Sequence, residues 1–168
     1  NVESVTGSVS ARFAQLAIEQ TNIRHPEQVI HAAKRCVIDW FAASLPGAVS
    51  QESLALENGL SDGLGHGNAW TLRGTRAPAR LAALINGTAS HAVEFDDIYA
   101  PAIYHPGSPT IAAALAAAQA LNKTGHDLLV SVIAGYEVST RIGTAMGRAH
   151  YKNWHNTGTV GTFGSTTA

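Results

Sequence analysis

Residues 26–45 read PEQVIHAAKRCVIDWFAASL, and the spacing of their apolar side chains decides the fold class. Val29, Ala33, Cys36, Val37, Trp40, Phe41 and Leu45 recur three or four residues apart, while Glu27, Lys34, Arg35 and Asp39 take most of the other face. That pattern is a helix with one side turned to a core, and Pro46 with Gly47 supplies its stop signal. Toward the amino terminus, residues 8–20 predict a shorter helix that buries Phe13, Leu16 and Ala17. Toward the carboxy terminus, residues 52–60 predict a third, and SDGLGHG at 61–67 is a turn-rich break. Residues 68–72 are the one stretch with an extended, strand-like character.

From Pro78 onward alanine dominates, in LAALINGTASHAV (81–93) and IAAALAAAQALN (111–122). Alanine has the highest helix propensity and the least bulk, so these helices are expected to pack closely. Ser108 followed by Pro109 predicts an N-cap and first helical residue, with the helix closing near Asn122 and Lys123. Thr124 with Asp127 three residues on predicts a capping box, opening a helix through Leu128, Leu129, Val132, Ile133 and Tyr136 to about Met146. With no repeat, linker or charge run to divide the chain, the expectation is one all-α domain with short connections.

Composition narrows the function. The 168 residues carry 11 basic and 12 acidic side chains, a formal net charge of -1, so neither a nucleic-acid footprint nor charge-driven disorder is expected. Cys36 is the single cysteine, which removes a disulfide framework and points to a reducing, cytoplasmic setting. No apolar run is long enough for a bilayer-spanning helix, so no membrane partner is expected. The abrupt ends, Asn1 and GTFGSTTA, predict a chain cut from a longer one.

Chemistry concentrates in HAVEFDDIYAPAIYHPG, residues 91–107, where His91, Glu94, Asp96, Asp97, Tyr99, Tyr104 and His105 crowd into a sequence otherwise poor in charge. If the preceding helix runs on to Asp97, then His91, Glu94 and Asp97 form one row on one face. Acids and histidines clustered between apolar helices suit proton transfer. A metal site built from His91, Asp96, Asp97 and His105 ranks second, because no tight ligand motif such as HExxH occurs. The second block is NWHNTGTVGTFGSTTA, residues 153–168, in which Gly158, Gly161 and Gly164 recur every third residue and His155 and Thr157 stand at the head. It lacks the lysine of a Walker phosphate loop, so its bare backbone predicts close helix packing beside a proton-transfer pair. A non-catalytic helical interaction module is the competing reading, with the small-residue faces serving subunit packing.

Taken together, NGTASHAVEFDD, the His-Pro element, GYEV and WHNTGTVGTFG resemble the amino-terminal helical domain of the MmgE/PrpD family, and VIDWFAASLPGA resembles the second helix of that domain. The resemblance implies 2-methylcitrate dehydratase-like lyase chemistry, or the decarboxylase and epimerase reactions of the same family, on a di- or tricarboxylate. It also implies a homodimer without metal or organic cofactor. Residues 1–168 would then be part of the helical domain, with a smaller α/β domain, a carboxy-terminal helical segment and the catalytic lysines lying outside this sequence. By the same resemblance His105, His155, Glu94 and Asp97 are the catalytic candidates. Tyr104, Thr157, Asp96 and His91 are candidates for substrate binding. Ile98 replaces a frequent threonine, Asn156 replaces the usual proline, and the His-Pro loop is one residue longer than in the decarboxylases.

Overall fold

The computed structural model describes residues 7–168. Among them the chain forms α1 (Val9–Asn22), α2 (Glu27–Gly47), α3 (Gln51–Gly59), β1 (Ala69–Trp70), β2 (Arg76–Ala77), α4 (Ala79–His91), α5 (Gly107–Ala120), α6 (Gly125–Tyr151) and α7 (Asn156–Thr167). The fold is all-α. The sheet is a two-residue antiparallel pairing, Ala69 with Ala77 and Trp70 with Arg76. Its first strand falls within the extended stretch expected at 68–72; its second, two residues long, has no alternation to betray it.

α5 is the hub. Its alanines leave little bulk on any side, and Ile111, Ala112, Ala114 and Ala116 are all buried. α4, α6, α7 and α2 pack around it. Trp40 of α2 joins Ile111, Ala112, Ala114 and Val132 in the main apolar cluster. The burial of these side chains, not helix propensity, is what holds such short helices together.

Several helix ends differ from the expectation, each for a local reason. Pro46 lies inside the last turn of α2 instead of beyond it. Gly47 follows because a Cβ there would collide with the backbone of Ala89, so this glycine serves a helix crossing rather than a stop. α1 buries none of its residues: Phe13, Leu16 and Ala17 are half-buried against α6. α5 begins at Gly107 behind Pro106, so Ser108 is not an N-cap; its hydroxyl donates instead to the Gly87 carbonyl, 3.0 Å away, tying α5 to α4. The capping box of α6 is present as expected, with the Thr124 and Asp127 side chains each serving the other's backbone N–H. α6 keeps helical geometry to Met146, then breaks at Gly147 (φ 61, ψ -170) before a final short turn.

Candidate active site

The helix that carries His91 ends at His91 itself, with Ala92 as its cap. Three residues later Glu94 adopts φ 55, in the left-handed region that side chains rarely occupy. The expected row of His91, Glu94 and Asp97 is therefore broken, and the chain folds into a loop that sends its acids in three directions. Glu94 points outward, with 72% of its side chain exposed, and its Oε1 stands 3.6 Å from Nε2 of His91. Asp96 points inward, with 1% exposed. Asp97 turns toward α6.

Asp96 is the centre of the cluster. Its carboxylate accepts a hydrogen bond from Nδ1 of His91 at 3.0 Å, and its Oδ1 lies 3.4 Å from Nδ1 of His105. The two rings meet edge-on with centroids 4.8 Å apart, and the His155 ring lies 5.7 Å from that of His91. The hydrogen bond to Asp96 raises the His91 pKa above its ordinary value, against the opposing effect of burial. The imidazoles of His91 and His105 thus flank one buried carboxylate, and that of His155, from a separate segment, lies beside His91.

Asp97 does structural work nearby. The Gly107 N–H donates to its Oδ1 at 2.9 Å and the Tyr136 hydroxyl donates to its Oδ2 at 2.8 Å. These bonds staple the loop to the start of α5 and to α6. Burial raises the Asp97 carboxyl pKa, and burial with the neighbouring Asp97 charge raises that of the Tyr136 phenol strongly. A Cβ on Gly107 would come within 2.6 Å of Asp97 Oδ1, so only glycine fits this staple.

α7 closes the site. His155 caps its start and is exposed. Thr157 is buried, and its Oγ1 accepts from the His105 backbone N–H at 3.2 Å. Asn156 is fully buried and donates through Nδ2 to the Ala102 carbonyl. Tyr136 and Asn156 are thus the positioning side chains that the sequence reading did not single out. Tyr136 lay in the quoted GYEV block, whereas Asn156 appeared there merely as a departure.

A groove of about 620 Å³ runs between α4, α5 and α7, with His91, His155, Thr157 and Gly158 on its walls. His105 stands behind His91, with 16% of its side chain exposed. Tyr104, expected to bind substrate, is instead fully buried beside Ala102 and Val160, and burial raises its phenol pKa. It offers no surface to a ligand. His91, Asp96, His105, His155 and Thr157 are therefore brought together, whereas Glu94 borders the cluster, Asp97 braces it and Tyr104 belongs to the core.

Comparison with known proteins agrees with the sequence resemblance. Cis-aconitate decarboxylase of Homo sapiens is 31% identical over 175 residues, covering 96% of this chain and 35% of that protein. The cis-aconitate decarboxylase-like protein oryM of Aspergillus oryzae is 30% identical over 160 residues, covering 89% of this chain and 33% of that one. Cis-aconitate decarboxylase of Mus musculus is 29% identical, with 96% and 34% covered. The chain thus spans about a third of the length of these curated relatives. The sequence model of the MmgE/PrpD N-terminal domain matches residues 11–168, and the chain accordingly belongs to the MmgE/PrpD family.

Proposed function

We propose that the chain is the helical portion of a lyase that acts on a di- or tricarboxylic acid by moving a proton on the carbon beside a carboxylate, in the manner of a 2-methylcitrate dehydratase. The cluster of His91 and His105 on buried Asp96, with His155 beside His91 at the wall of a groove, is the observation that carries this reading. Imidazoles gain and lose protons near neutral pH, so histidines suit the donor and acceptor roles. His105 and His155 take those roles, Asp96 and His91 orient them, and Glu94 and Thr157 supply polar contacts to the substrate or to an ordered water. No organic cofactor or catalytic metal is invoked. The complete enzyme is proposed to act as a cytoplasmic homodimer.

Decarboxylation of a cis-aconitate-like acid is the second reading, favoured by the names of the relatives. It places the same demand on the site, because loss of carbon dioxide leaves a carbanion that must be protonated. Epimerisation draws on the same proton transfers. Replacing His105 with Gln in the complete enzyme is expected to abolish turnover of citrate-like and cis-aconitate-like acids while leaving the circular dichroism spectrum unchanged. Turnover at the unsubstituted rate would remove His105 from the mechanism.

A further inference from the structure

We propose that His91, Asp96 and His105 form a capture site for a divalent transition-metal ion of the zinc class. Each offers one ligand atom, and the three atoms lie within 4.8 Å of one another. The Asp96 oxygens stand 3.0 and 3.4 Å from the two imidazole nitrogens. Bonds of about 2.0–2.2 Å in tetrahedral array place neighbouring ligand atoms roughly 3.3 Å apart, so the two carboxylate–imidazole spacings are close to what zinc requires, and a bound ion would draw any wider pair of the set together. Two imidazoles and one carboxylate are also donors that suit this class of ion.

A second observation is independent of that spacing. Nδ1 of His105 and Nε2 of His91 are both sealed from solvent and have no hydrogen-bond partner. A buried ring nitrogen left without a partner is costly, and a cation bound to Nδ1 of His105 supplies one. The ion-pair partners of Asp96 among the described residues are these two imidazoles, so no lysine or arginine is paired with this buried carboxylate. Glu94 completes the arrangement. Once the ion takes Nδ1 of His91, the proton moves to Nε2, which faces Glu94 Oε1 at 3.6 Å, the outer-shell carboxylate that ligating histidines commonly have. Asp97 is not a ligand, because its two oxygens are engaged by Gly107 and Tyr136.

Coordination moves the proton of the His91–Asp96 bond from Nδ1 to Nε2 of the same ring, by way of solvent, and the metal takes its place at Nδ1. Three protein ligands leave a fourth position for water. Binding at this site does not depend on the proposed reaction. Its consequence does: an ion held by the His105 lone pair withdraws that nitrogen from proton transfer, so the site acts as an inhibitory switch.

The test is titration of the purified protein with cobalt(II) chloride. Visible d–d bands of a low-coordinate site, saturating at one ion per chain and removed by zinc, are expected. Folded His91→Gln and His105→Gln variants, checked by circular dichroism, should each bind cobalt at least about tenfold more weakly. His126→Gln, an exposed histidine on α6, should bind as the unsubstituted protein does. In the unsubstituted protein, paramagnetic broadening should strike the His91 and His105 ring signals first. Featureless binding, broadening that spares those two rings, or affinity unaltered by both substitutions overturns the site.

Discussion

At the scale of single residues, the functional block divides its acids between two tasks. Asp96 serves imidazoles and Asp97 serves the scaffold. Tyr136→Phe would remove one donor from a buried carboxylate at almost constant shape, so it is expected to cost about 1–3 kcal/mol in stability, measured by urea unfolding. Gly107→Ala should be worse, because the new methyl group would enter the space of the same carboxylate. The clustering of His91, Glu94, Asp96, Asp97 and His105 was legible in the sequence, because so few other charges surround them. The direction each side chain takes was not. Ala92 and Val93 are compatible with a continuing helix, and no local signal announces that Glu94 adopts a left-handed backbone. That turn is imposed by tertiary bonds, chiefly those of Asp96 and Asp97, which a periodicity argument does not see. Tyr104 shows the same limit in reverse: an aromatic residue beside a histidine in a polar loop is consumed by the core.

At the scale of elements, the glycine run of α7 separates packing from access. A Cβ on Gly161 would lie 2.7 Å from the Pro109 ring, and one on Gly164 would strike the Thr110 hydroxyl, whereas one on Gly158 meets nothing. Gly164→Ala is therefore expected to destabilise the protein, and Gly158→Ala to stabilise it by up to about 1 kcal/mol through helix propensity, both read from melting temperature. The sequence spacing implied close approach along one side; the contacts show that two of the three glycines supply it. The capping box of α6 was readable because its signal is local. Thr124→Ala should cost about 1 kcal/mol. Hydrogen bonds from the Thr124 backbone N–H, then from its hydroxyl, hold the Asp127 carboxyl below the ordinary carboxylate range. A depressed carboxyl pKa contributes stability above the unfolded value, and this contribution is lost as pH falls through the folded one. The difference between the unsubstituted protein and Asp127→Asn should accordingly shrink on acidification, as followed by thermal melts across an acid pH series.

At the scale of the whole molecule, the groove presents imidazoles, small polar groups and the carboxylate of Glu52, but no lysine or arginine among its lining residues. Anionic substrates with two or three carboxylates call for cationic clamps. Of the two arginines of α6, Arg141 is engaged with Glu137 one turn earlier at 2.6 Å, and Arg148 is exposed away from the groove's lining. The 168-residue chain by itself is thus expected to show no turnover of cis-aconitate or 2-methylcitrate in a coupled assay; measurable rate would mean that the imidazole cluster suffices. The all-α architecture was legible because most helices announce themselves by period and alanine content. The strand pair and the exact helix ends were not, since two-residue strands and crossings such as Gly47 on Ala89 are settled by neighbours distant in sequence.

The reversal at Gly147 has a mechanical consequence. In an unbroken helix, adding or deleting one residue rotates everything beyond it by about 100°. Here a single non-helical residue divides the long rod of α6 from the short turn leading to His155, and that turn is fastened to α7 by His150 against the Thr159 hydroxyl at 3.0 Å. The imidazole at 155 takes its bearing from the segment behind it, so changes in rod length would be absorbed at the joint without swinging the ring away from the groove.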